Sequence, residues 1–193
     1  MNAFALKEFL HWRYATKEMG RSKIVRQEKV DVIVAAIHMA PTPSSTQPFE
    51  LAVVTNTDIR SKVIKAAGEQ AQITDGSHLL VFAALDDHAE DRINKVVDLN
   101  VQARRDLPMQ HAYYNNIKTN YAPRDAEVNN AHAAHQAYIA IEIALAAAAE
   151  QEVDTTPMEG FNTDAADQIL GLQERGLRSV VLMPLGYRYA ARD

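Results

Sequence analysis

Leu6, Phe9, Leu10 and Arg13 lie three and four residues apart, the spacing of one helix face, and predict an opening helix that ends near Tyr14. Val30, Ile33, Val34 and Ile37 repeat that spacing and predict a second amphipathic helix. It must stop in APTPSSTQPF (Ala40 to Phe49), where Pro41, Pro43 and Pro48 withhold backbone donors and fix φ. ELAVVT then predicts a strand, and Asp58 to Ala67 a helix capped by Asn56 or Thr57. HLLVFAAL is apolar without alternation, the pattern of a strand covered on both faces. A long polar helix is expected from about Asp86 to Arg105.

Residues 107–124, LPMQHAYYNNIKTNYAPR, are the least regular stretch, and their tyrosines and prolines predict a mobile lid or an excursion. From Asp125 to Glu150 the helical pattern returns, with Tyr138, Ile141, Leu145 and Ala148 as its apolar stripe. AADQILGL predicts a short helix, and RSVVLMPLGYR the last strand. Strands alternating with helices imply a sheet with helices packed against it, α+β or α/β. With no internal repeat and no linker, residues 1–193 are expected to form a single domain.

Composition narrows the function classes. A net charge of -5 argues against a general nucleic-acid binder, though not against a local basic pocket for a phosphate. The chain has no cysteine, which excludes disulfides and thiolate metal sites and makes a reducing compartment the simplest home. Charges from Lys7 to Glu18 break up the N-terminus, so no signal peptide is expected there. The apolar run Ala137 to Ala149 contains Glu142 and is too short to cross a bilayer. A soluble, cytoplasmic protein with no membrane partner is expected. His132 and His135 lie three apart, but no histidine spacing supports a metal site, and none is expected.

Three stretches could carry chemistry. RYATK places Arg13 and Lys17 four residues apart after the first helix, where a planar fork and a compact point charge could grip a phosphate and an electron-rich ring edge. They could equally be two cations solvating a helix end. The hydroxyls and stiff backbone of APTPSSTQPF could bind a polyol or phosphate, or merely connect two elements. In PMEGF (Pro157 to Phe161), backbone N–H groups at Glu159 and Gly160 lie just before a helix, where orphan donors suit an electron-accepting ring atom. A tight interhelical turn would read the same way.

Taken in order, RYATK, APTPSSTQPFELAVV, TDGSHLLVFAA, HQAYIAIEIALAAAAE, DTTPMEGF and LGLQERGLRSVVLMPLGYR resemble the FMN-dependent nitroreductase family, in its oxygen-insensitive NAD(P)H nitroreductase and dihydropteridine reductase branch. The resemblance runs from Phe9 to Arg188. It implies an α+β three-layer sandwich, with a central mixed, mostly antiparallel sheet flanked by helices, and a homodimer with FMN at the subunit interface. It implies a ping-pong oxidoreductase that passes hydride from NADH or NADPH through FMN to small-molecule acceptors such as nitroaromatics, quinones or pterins. The alternative functions are a flavin-binding protein with little turnover, for storage or signalling, and an interaction protein built around the Ala-rich helix.

Position by position, the resemblance gives Arg13, Tyr14, Ala15 and Lys17 to the cofactor, with Lys17 beside the ring edge that becomes negative on reduction. Pro41, Thr42, Pro43 and Ser45 of the partner chain would line the flavin, and Gln72 would hydrogen-bond it. Pro157 and Met158 would pack on one ring face, and Glu159 and Gly160 would offer N–H groups to the ring. Tyr113 and Tyr114 are candidates for stacking on substrate, or for packing the excursion. The chain departs from the family at Ser45 and Glu69, where amides are usual, and at Glu152, where a glycine usually closes the long helix. Family members continue past LPLGYR into a tail that supplies a Lys/Arg pair for the phosphate. Arg188 and Arg192 are candidates to take that role here.

Overall fold

The computed structural model describes residues 5–86, 90–103, 108–189 and 191. Its helices are α1 (Ala5–Trp12), α2 (Gln27–His38), α3 (Thr57–Ala66), α4 (Gln72–Asp75), α5 (Glu90–Ala103), α6 (Pro108–Tyr121), α7 (Ala126–Glu150) and α8 (Thr163–Leu170). Its strands are β1 (Phe49–Val54), β2 (His78–Leu85), β3 (Asp154–Thr155) and β4 (Leu177–Gly186), ordered β1-β2-β4-β3 with every neighbouring pair antiparallel. Among the described residues the mixed character expected of the sheet is seen in one isolated parallel bridge, Ala15 with Thr155.

The sheet is the middle of three layers because its central strands are apolar on both faces. Leu80, Phe82, Val181, Met183 and Leu185 face one core, shared with Ile33 and Ile37 of α2 and Ala140, Ile141 and Ala144 of α7. Leu79, Val81, Ala83 and Leu182 face the other, shared with Val63 of α3, and Ile169 of α8 packs against it. β2 is buried along nearly its whole length, as its unbroken apolar run requires. A bulge between Phe82 and Ala83 shifts the pairing from Val181 to Ser179 and leaves Val180 as the extra residue.

Asn56 caps α3 by accepting from the Asp58 and Ile59 N–H groups. α7 ends in a Schellman turn, with Val153 N–H donating to Ala148 O at 2.8 Å and Glu152 N–H to Ala149 O at 3.0 Å. The left-handed residue that this turn demands is Glu152, at φ 52°. The stripe Ile141, Leu145 and Ala148 is buried as expected.

The main correction concerns 107–124. Pro108–Tyr121 is a regular helix, antiparallel partner to α5 in a small hairpin whose core is Ile93, Val96, Tyr114 and Ile117. Pro108 stands at the first helical position, where its missing N–H costs nothing. A narrow stripe of Tyr114, Ile117 and Tyr121 among asparagines is too sparse to read as helical until α5 supplies the other half. Asp87 and residues 104–107, at the two ends of the expected polar helix, lie outside the described residues. Among the described residues no helix is long and apolar enough to cross a membrane.

Candidate active site

After Trp12 the chain leaves α1 and runs extended along the β3 edge. Ala15 pairs with Thr155, and buried Thr16 donates from Oγ1 to Asp154 Oδ1 at 3.3 Å while its carbonyl accepts from Thr156 Oγ1. Met19 pairs with Arg188, and Tyr189 N–H donates to Glu18 O at 2.9 Å. These bonds fix the arm that carries Arg13 and Lys17 beside the strand leading into PMEGF. Asp154 is 4% exposed, and its charge is met by Arg188, whose Nε donates to Oδ1 at 2.8 Å and whose backbone N–H donates to Oδ2 at 2.7 Å. The Arg188 guanidinium also lies over the Trp12 and Tyr14 rings, at 4.3 and 4.6 Å from their centroids. Arg188 is therefore spent inside the protein, which corrects its candidacy as a phosphate clamp. Arg192 lies outside the described residues. Arg13 is half-buried, and its Nε is buried with no hydrogen-bond partner among the described residues.

The PMEGF loop extends the β3 edge. Met158 exchanges two backbone bonds with Leu182, at 2.9 and 3.0 Å, and its side chain is 3% exposed within the second core. Phe161 packs against that same core. The loop is apolar because it is anchored in the protein's interior, so the expectation that the Met158 side chain covers a ring face is corrected; Pro157 remains exposed. Phe161 N–H donates to Glu159 O at 2.8 Å, a γ-turn centred on Gly160. Glu159 and Gly160 are exposed, and their N–H groups have no acceptor among the described residues. A Cβ at Gly160 would meet only Gln70 Nε2, at 3.9 Å, and φ there is not positive. Neither strain nor crowding within this chain calls for glycine at that position.

The third wall is the α3–α4 connection. Gln70 Nε2 donates to Ala67 O at 3.0 Å and to Gly160 O at 3.1 Å, which joins this connection to PMEGF. Gln72 opens α4 and is buried. α4 is held from below by Arg60, 5% exposed, which donates to the carbonyls of Ile73 (3.1 Å), Thr74 (3.4 Å) and Gly76. Burial pushes the Arg60 guanidinium below its usual range, and burial with the nearby Arg60 charge does the same to the His78 imidazole.

The structure thus brings Arg13, Tyr14, Ala15, Lys17, Gln72 and Pro157–Gly160 to one edge of the sheet. It does not bring Pro41, Thr42, Pro43 and Ser45 there. That segment precedes β1, on the opposite sheet edge, and contacts the α5–α6 hairpin through Ser44 Oγ with the Tyr121 hydroxyl (3.4 Å) and Arg92 with Gln47 O (3.1 Å). It is sharply wound, with Ser44 at φ 60° and Ser45 at φ 52°. Of the tyrosine pair, Tyr113 is 50% exposed, whereas Tyr114 is buried at 6% with its hydroxyl accepting from Asn100 Nδ2 at 3.0 Å. Tyr114 therefore packs the hairpin, and its expected stacking on substrate is corrected. Among the described residues no cluster of three or more His, Asp or Glu could hold a metal.

Two contributors were missed from the sequence. Gln70 sits among ordinary helix-end residues, and Tyr138, whose hydroxyl donates to Glu159 Oε1, was counted only as part of the α7 stripe. Nothing in periodicity distinguishes either one, because both act across long sequence separations.

The chain is 26% identical over 184 residues to the oxygen-insensitive NAD(P)H nitroreductase of Enterobacter cloacae, covering 91% of this chain and 85% of that one. It is 25% identical over 190 residues to the major NAD(P)H-flavin oxidoreductase of Aliivibrio fischeri, covering 94% and 86%. A solved structure from Exiguobacterium sibiricum, named as a nitroreductase in complex with FMN, superposes with a TM-score of 0.85 at 16% identity, covering 95% of this chain and 88% of that one. The nitroreductase family model matches residues 10–187, and with nearly the whole fold inside that match, the chain belongs to the nitroreductase family.

Proposed function

We propose that the protein is an FMN-dependent oxidoreductase that takes hydride from NADH or NADPH and delivers two electrons to a nitroaromatic, quinone or pterin, the nucleotide and the acceptor taking turns at one site. The observation that carries this reading is the pair of unspent N–H donors at Glu159 and Gly160 beside a glycine that this chain's own packing does not require. A flat ring held against that edge gives the glycine its reason. The partnerless Arg13 Nε is a second sign of fit, a buried donor that suits a phosphate or polyol oxygen.

FMN, when bound, supplies the two-electron chemistry. The protein supplies position and charge. Arg13 would hold the phosphate or ribityl chain. Lys17 would stand by the ring edge that gains negative charge, a preorganised cation at the place where charge develops. Glu159 and Gly160 would donate from their backbone to the opposite ring edge, and Gln72 would reach the ring from α4. Pro41, Thr42, Pro43 and Ser45 would close the site from a second copy of the chain, since within one copy they lie on the far sheet edge. No side chain is needed as a general acid or base.

The test is an anaerobic titration of FMN-loaded protein with NADH and then NADPH, followed by flavin absorbance. The visible band is expected to bleach with at least one nucleotide and to return when a nitroaromatic or quinone is added. Binding without reduction would favour the flavin-carrier reading, and absence of FMN uptake would end the proposal.

A further inference from the structure

The backbone acceptors of the loop from Met158 to Gly160 are all engaged. Met158 O accepts from Leu182 N–H at 3.0 Å, Glu159 O from Phe161 N–H at 2.8 Å, and Gly160 O from Gln70 Nε2 at 3.1 Å. The Glu159 carboxylate accepts from the Tyr138 hydroxyl. What the loop leaves unspent is two backbone N–H groups, at Glu159 and Gly160. The result is a backbone edge that offers only donors.

We propose that Gln70 and Tyr138 are positioning residues that make and hold this edge. The inference rests on the FMN reading above. Gln70 Nε2 uses both of its hydrogens on carbonyls, Ala67 O and Gly160 O, so its amide has one orientation; turned over, Oε1 would face two carbonyls. Its grip fixes which way the Gly160 carbonyl points. Asn162 N–H, donating to Ala66 O at 2.7 Å, secures the same junction one step further along. On the other side, Tyr138 has its ring packed against the first core and its hydroxyl on Glu159, so it ties the Glu159 side chain to the rigid middle of α7. Two anchors from opposite sides thus prevent the peptides at Glu159 and Gly160 from turning a carbonyl toward the ligand.

An edge of this kind discriminates between ring states. A ring nitrogen placed against it would be a hydrogen-bond acceptor when FMN is oxidised and would carry a hydrogen after two-electron reduction. Fixed donors therefore favour the oxidised ring at that contact. Releasing the loop lets a carbonyl swing round and removes that preference.

The test compares Tyr138→Phe, Gln70→Met and the double variant with the parent protein, all loaded with FMN. Each single variant is expected to raise the FMN dissociation constant about three- to ten-fold, the worth of one hydrogen bond. The midpoint potential of bound FMN, measured spectrophotometrically on the loaded fraction, is expected to move upward, and further in the double variant. An unchanged or lowered potential would overturn the inference even if affinity falls, because that pattern marks general weakening of the fold. If the parent protein takes up no FMN, it is the proposed function that fails.

Discussion

At the scale of single residues, burial decides which charges matter. His132 is half-buried, with Nε2 3.2 Å from the Tyr121 hydroxyl, and burial, Arg124 and His135 all hold its imidazole below the usual 6.5. His78 is lowered by burial and by Arg60. Both are therefore neutral in the folded protein at pH values where they are already protonated in the unfolded chain. The unfolded state then binds more protons, so stability falls as pH drops from the ordinary value of 6.5 toward the lower folded values, and levels off below them. Urea midpoints measured between about pH 8 and about pH 5 are expected to decline on the acid side, and less steeply in His78→Gln and His132→Gln. The histidines were visible in the sequence, but their surroundings were not. The three-residue spacing of His132 and His135 does not show that His135 is exposed while His132 lies against Tyr121 of α6.

At the scale of elements, the sequence announced most helices and strands because each buries a continuous stripe or run. α2, α3, β2 and α7 lie within a few residues of their expected limits. What it concealed was α6, whose stripe is half of a hairpin core and means little without α5. The end of α7 was legible in an instructive way. The departure noted at Glu152 falls on the one residue of the Schellman turn that must be left-handed. A side chain there costs about 1 kcal/mol relative to glycine. Glu152→Gly is expected to stabilise the protein by about that amount, read as a higher urea midpoint with an unchanged slope. Its FMN affinity should not change, since Glu152 lies outside the loop proposed to meet the flavin.

At the scale of the whole molecule, the sheet separates two halves of the proposed site. Arg13, Lys17, Glu159 and Gly160 line the β3 edge, while Pro41 to Ser45 lie beyond β1, with β2 and β4 between them. The width of three strand spacings, roughly 14 Å, cannot be closed by a side chain. On the proposed function a complete site takes a second copy, and FMN binding and dimerisation are then expected to be linked. Sedimentation of the loaded and unloaded protein should show FMN shifting the monomer–dimer balance toward the dimer, and dilution should release FMN together with the partner. Motifs name the candidate residues, and the resemblance already gives Pro41 to Ser45 to the partner chain. The strand order that sets them on two edges is a property of long-range pairing that no local pattern contains.

That pairing also has a consequence in time. The arm carrying Arg13 and Lys17 is held by Thr155 and Arg188, and β2 finds its second neighbour only in β4, about a hundred residues later. During synthesis the arm is made well before the strands it docks on, and it is among the last segments to find its place. The arm has nothing to dock on until β4 has emerged, so the edge that carries the candidate site is assembled in one late step.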